Sequence, residues 1–289
     1  MKKLVALAVA GAFVAPVYAA DISVSGYFET SYIDLKTSSA TSKTIAEDAN
    51  VDFTASGTTA NGIAVSAKIG IESDGTRNDG RGITLSGGFG KLVLGDTSGA
   101  IDSLDAADFT NTSSLAGLTG RADANVGYTL PSLVPNLSVY IAYSPENGDS
   151  DELEGAATDA VEGFALKYSF GAGSVGYASE DVAAVSYQGL FFKYSVAGFD
   201  LAYDSSEATS AANVKTDYIQ WSAKYAMGDT TFGLLNVSTQ VAGATKSQDS
   251  TVVGIYQDLG NGISAYLETG SNDKGTLDEE TVIGVAFTF

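Results

Sequence analysis

The chain has 289 residues, 35 acidic and 15 basic side chains, a formal charge of −20, and neither cysteine nor histidine. So large an acid excess repels nucleic acid, and without thiol or imidazole there are no disulfides, no usual zinc ligand sets and no Ser-His-Asp or Cys-His catalytic group. With 33 Gly, only 4 Pro and 10% aromatics, the composition points to many strands joined by tight turns rather than to a disordered acidic chain.

The first element is a basic head, Met1-Lys2-Lys3, followed by an apolar run from Leu4 to Val14, then Pro16 and the small-residue site Val17-Tyr18-Ala19. That run is too short to cross a bilayer as a helix, which takes about 20 residues. Residues 1–19 therefore read as a secretory signal peptide cleaved after Ala19, a cut after Ala20 fitting almost as well. Removing Lys2 and Lys3 makes the mature chain two charges more negative. Residues 20–289 read as one domain.

From residue 21 onward, period-two alternation dominates. Ile22, Val24, Gly26, Phe28 and Tyr32 share one parity, and Ser23, Ser25, Glu29 and Ser31 the other. The same pattern recurs at Val65, Ala67, Ile69 and Ile71 against Ser66, Lys68 and Glu72. It returns at Phe164, Leu166, Tyr168 and Phe170 against Lys167 and Ser169, and at Ile219, Trp221, Ala223 and Tyr225 against Gln220, Ser222 and Lys224. Taken in order, strands are expected at 21–36, 48–59, 62–71, 81–87, 91–97, 121–130, 136–144, 161–170, 174–181, 184–195, 198–204, 215–227, 230–240, 247–259, 262–271 and 279–289. Parity blurs at Leu234-Leu235 and from Thr251 to Ile255, so counts of fourteen and eighteen remain open beside sixteen.

The connections alternate in length. Short turns carrying Gly, Asn or Asp fall at Asn61-Gly62, 87–90, 171–173, Ala197-Gly198, Gly228-Asp229 and 260–262, each suited to a tight hairpin. Longer polar stretches at 37–46, 73–80, 98–120, 146–158, 205–213, 242–248 and 271–278 lie between them. A continuous hairpin array of this kind, without Greek-key crossovers, closes into one large barrel. An interior that Ser, Asn, Asp and Lys cannot fill holds water, so the apolar face points outward into lipid. The expected fold is an all-β, transmembrane antiparallel barrel of about 16 strands.

The chain ends on Phe289, with Phe287, Val285 and Ile283 repeating backward at period two. In this it resembles the general-diffusion porins of Gram-negative outer membranes, whose last strand ends in Phe as an assembly signal. Gly88-Phe89-Gly90-Lys91-Leu92-Val93-Leu94-Gly95 is similar to that family's hairpin before its long third loop, and Asn125-Val126-Gly127-Tyr128 to the strand leaving it. Length and acidity most resemble the small porins of alphaproteobacteria. The third loop lacks a Pro-Glu-Phe-Gly turn, and Arg77, Arg81 and Arg121 are the only arginines, so the family's arginine wall is thin or missing here.

The resemblance implies a passive, water-filled channel for ions and small hydrophilic solutes in the outer membrane, built as a homotrimer. It also implies contact with lipid and lipopolysaccharide, and recognition of Phe289 by the barrel assembly machinery. The third loop, expected to fold inward, carries Asp102, Asp105 and Asp108 and no basic residue over 98–120. These aspartates are expected to face Lys68 and Arg121 across a constriction, with Glu29, Asp52 and Asp123 also on the lumen side. An acid excess there predicts cation preference. Lys91, Lys167, Lys193 and Lys224, close to short turns, read as lining the periplasmic mouth, and inward positions generally read as small, polar or acidic.

Tyr32, Tyr128, Tyr143, Tyr168, Tyr194, Tyr203 and Tyr225 fall on the outward parity, where aromatic girdles form. The loop holding Asp74, Arg77 and Asp79 resembles the one that latches onto a neighbouring subunit. The acidic runs Asp149-Ser150-Asp151-Glu152 and Asp278-Glu279-Glu280 offer oxygen ligands for loosely held Ca²⁺ or Mg²⁺, though a solvated acidic surface is the favoured reading. No other cofactor and no enzyme chemistry is expected. Two other functions remain: a substrate-specific outer-membrane channel, which would need a ladder of lumen aromatics or a basic cluster, and an exported soluble β-rich adhesin.

Overall fold

The computed structural model describes residues 21–73, 81–104, 107–110, 123–145, 160–244, 247–273 and 277–289. Within them lie sixteen strands: β1 (Asp21–Thr37), β2 (Thr41–Thr58), β3 (Ala64–Glu72), β4 (Gly82–Gly87), β5 (Gly90–Ser98), β6 (Asp123–Thr129), β7 (Leu137–Ser144), β8 (Val161–Phe170), β9 (Gly173–Val182), β10 (Val185–Val196), β11 (Phe199–Thr209), β12 (Lys215–Met227), β13 (Thr230–Val241), β14 (Gln248–Gly260), β15 (Ile263–Asn272) and β16 (Leu277–Thr288). Each pairs antiparallel with its neighbours in the chain, and β1 pairs with β16 to close the barrel. Closure removes both sheet edges, so backbone groups facing lipid are satisfied within the wall.

Register turns the alternation into two surfaces. Tyr203 lies opposite Phe192 on one side and Trp221 on the other, and all three are exposed apolar side chains. The same outward row holds Ile22, Val24, Phe28, Ile69, Ile283 and Val285. A continuous apolar exterior of this extent is stable in hydrocarbon and not in water. The seven outward tyrosines all lie on this side; Tyr128 also donates to the Phe89 carbonyl at 2.6 Å. At the short-turn end Phe199 and Tyr225 pack at 4.6 Å between ring centroids, and Phe170 and Phe192 at 6.5 Å, as parts of an aromatic band.

The seam is made by the last residues. Phe28 opposes Phe287 and Glu29 opposes Ala286, while Gly26 and Phe289 exchange two backbone hydrogen bonds of 2.9 and 3.0 Å. A Cβ on Gly26 would collide with the Phe289 ring, so glycine lets that ring lie flat on β1.

Several connections differ from the expected lengths. Residues 37–46 are not a loop: β1 and β2 continue as a ladder to Lys36↔Thr41 and turn over Ser38 and Ser39. Above the lipid both faces of a ladder meet water, so polar residues continue a strand without alternation. For the same reason β11 runs on to Thr209. At the long-loop end β9 and β10 join through only Ala183 and Ala184, whereas at the short-turn end Pro131 and Pro135, which donate no backbone N–H, lengthen the β6–β7 connection. The run Asp278-Glu279-Glu280 lies in β16 rather than in a loop. Glu279 meets Lys36 at 3.0 Å and Glu280 is buried.

Candidate functional site: the lumen and its third loop

The third loop leaves β5 through a bulge between Leu94 and Thr97. Gly95 takes φ 126° there, and its missing Cβ leaves room for the Arg81 carbonyl, so the strand bends. A short 3-10 turn follows at Asp102–Leu104. The loop then lies along the inner wall from β8 to β14. Its path is marked by glycines whose Cβ would strike it: Gly163 under Ala100, Gly176 under Leu104 and Gly233 under the Phe109 ring.

Burial and two carboxylates hold it there. Ala100, Ile101 and Leu104 pack with Val161, Ala165, Ala178 and Phe191 in one buried cluster, and Phe109 packs on Leu235, Val237 and Val252 in a second. Phe109 also meets Tyr256 edge-on at 5.9 Å. The Ala100 N–H donates to Glu180 Oε2, and the Ala107 N–H donates to Asp204 Oδ2 at 3.1 Å. A carboxylate accepting a buried N–H answers a donor that the folded-in loop would otherwise leave unmade. These seats explain the blurred parity: Leu235, Val237 and Val252 face inward, but toward the loop and not toward water. Glu180 and Asp204 were missed as anchors. Their signal was an inward-parity acid flanked at that parity by alanine, Ala178 and Ala202.

Asp102 opens the 3-10 turn and is half-buried. Asp108 is also half-buried and accepts the Thr110 N–H and hydroxyl at 2.9 Å each. Asp105 and Arg121 lie outside the described residues, as do the loop of Asp74, Arg77 and Asp79 and the run Asp149 to Glu152. Asp123 begins β6 and is exposed. Lys68 is on β3, across the barrel from the loop-bearing strands, and its ammonium contacts Asp52 on β2 at 3.1 Å. Glu29 points inward but is buried, accepting the hydroxyls of Tyr27 and, at 2.5 Å, Tyr266.

Among inward positions that are mainly small, polar or acidic stand tyrosines: Tyr27, Tyr140, Tyr256 and Tyr266 face inward, with Tyr140 donating to the Ser98 carbonyl at 2.6 Å and Tyr256 to Glu268 at 2.8 Å. One expectation about the lumen is corrected. Lys167, Lys193 and Lys224 do not stop at the mouth. They line a cavity together with Ser103, Leu104 and Asp108 of the loop, because long stems four positions from a short turn reach the loop's underside. Lys91 is exposed on β5. Among the described residues no group of three carboxylates converges as a metal site would require.

Comparison with known proteins places this architecture. Salmonella typhi OmpF, in complex with daunomycin, superposes with a TM-score of 0.75 at 14% identity, covering 94% of this chain and 98% of that one. The trimer form of OmpT, an outer membrane protein of Vibrio cholerae, gives 0.72 at 16% over 94% and 100%. An anion-selective porin from Comamonas acidovorans gives 0.70 at 13% over 93% and 100%. At such identities the likeness carries the fold alone. No curated protein matches the chain. The family model described as Gram-negative porin matches residues 5–277, and the chain belongs to that family of outer-membrane channels.

Proposed function

We propose that the chain, freed of residues 1–19, forms a passive, cation-preferring pore for ions and small hydrophilic solutes, without enzyme chemistry. The observation that carries this reading is a closed barrel with an apolar exterior whose lumen is narrowed by a loop bearing Asp102 and Asp108. Selectivity is a property of the charges and not of the fold, since an anion-selective porin shares the architecture. Here acids outnumber bases 35 to 15, and a lumen lined by excess carboxylate concentrates cations. Zero-current potentials across a KCl gradient are expected to show cation preference; anion preference overturns it. The pair Asp102→Asn with Asp105→Asn is expected to lower the cation-to-anion permeability ratio by about twofold or more, as removal of a charged ring does. N-terminal sequencing of the mature protein checks the cut before Ala20.

Assembly as a homotrimer is part of the same reading, supported by the trimer form of the OmpT neighbour. Contact with lipopolysaccharide, loosely held Ca²⁺ or Mg²⁺ at acidic runs, and recognition of Phe289 by the assembly machinery complete it. A substrate-specific channel is the second reading, favoured by the lysines beneath the loop. The apolar exterior speaks against a soluble adhesin.

A further inference from the structure

Lys167, Lys193 and Lys224 come from alternate strands, β8, β10 and β12, and converge on one cavity of about 310 Å³ with Ser103, Leu104 and Asp108. The strands between them leave the space open. On β9 the residues opposite Lys167 and Lys193 are Gly176 and Ser174, and on β11 those opposite Lys193 and Lys224 are Ala202 and Asp200. Among the described residues none of the three ammonium groups has an ion-pair partner within 4.0 Å. The carboxylates facing them are already engaged: Asp108 by Thr110, and Asp200 by the Ser195 hydroxyl at 2.5 Å.

We propose that this cavity is a binding subsite for small polyvalent oxyanions, entered from the short-turn side of the third loop. It lies beyond the cation preference argued above and rests only on the water-filled lumen. Three lysines out of the chain's 15 basic residues share one cavity in a protein of charge −20, without the partners that would make them structural. A monovalent anion gains little from any one hydrated ammonium in a wet lumen, where screening acts over about 8 Å at physiological salt. A solute carrying several negative oxygens engages all three at once, so its affinity rises with valence. Asp108 in the cavity lining and Asp200 opposite Lys224 oppose anions too weakly charged to outbid them. The cavity faces the lumen and not the lipid, so the occupant is a soluble solute and not a lipid headgroup.

The test is current block in planar bilayers by sodium tripolyphosphate, added to one side and then the other. Each block is scored against the same channel's own open current in KCl, so a failure to conduct is separated from a failure to bind. The expected result is a concentration-dependent block, stronger from the short-turn side. Lys167→Gln, Lys193→Gln and Lys224→Gln together raise the half-blocking concentration about tenfold or more, or 1.4 kcal/mol of binding per tenfold. Lys193→Gln alone gives an intermediate rise, and Lys36→Gln at the opposite rim gives none. Raising KCl to about 1 M, where screening shortens to roughly 3 Å, relieves the block. Absence of block, an undiminished block in the triple variant, or a block that survives high salt overturns the proposal.

Discussion

The two halves of the inner wall obey different rules. From β1 to β3 the lumen face is mainly polar, and two of its charges are held by groups of the same wall: Glu29 by tyrosines, Lys68 by Asp52. From β8 to β14 the lumen face carries Val161, Ala165, Ala178, Leu235, Val237 and Val252, with glycines set where the third loop presses closest. The outer faces of both halves are alike, because lipid is the same on both sides. What differs is the inner solvent: water on one half and a packed loop on the other. The inward apolar cluster on β8 to β14 therefore marks where the lumen is filled.

The largest effect that would break this contrast is a charge placed under the loop. Leu235→Asp buries a carboxylate against Phe109 without a partner, a cost of several kcal/mol. It is expected to lower the melting temperature strongly and to widen or destabilise single-channel currents. The same side chain at Ser25, exposed on the wet wall, changes stability by no more than about 0.5 kcal/mol. Equal losses at the two positions would show that the loop does not pack as described.

Next come the anchors. Glu180→Ala and Asp204→Ala each strand a buried N–H of the loop, at about 1–3 kcal/mol apiece. The expected signature is noisier current with little change in barrel assembly, and quiet channels from both variants would refute the anchoring role. The smallest effect is on the wet wall. A double-mutant cycle of Lys68→Gln with Asp52→Asn is expected to return at most about 1 kcal/mol, since both groups remain partly solvated. The exposed pair Lys36–Glu279 is expected to return no measurable coupling.

The outward row from Ile22 to Phe287 and a count of sixteen strands, with fourteen and eighteen left open, were legible in the residues, while the inward loop after β5 came from the family resemblance. Alternation is a local, period-two signal, and lipid outside imposes it on every strand. Of the loop aspartates, Asp102 and Asp108 lie on the connection after β5. Sequence did not show that residues 41–47 continue a ladder, because polar residues read the same in a loop as in a strand above the membrane. It read Leu235 and Val252 as parity faults, and left Glu180 and Asp204 unremarked among many acids. It also set Lys167, Lys193 and Lys224 at the mouth, although they reach the loop. The last three, unlike the ladder, depend on a segment some 60 to 140 residues distant being laid across the strand. Periodicity along one strand carries no record of what lies against its inner face. That contact exists only once the barrel has closed and the loop has folded into it.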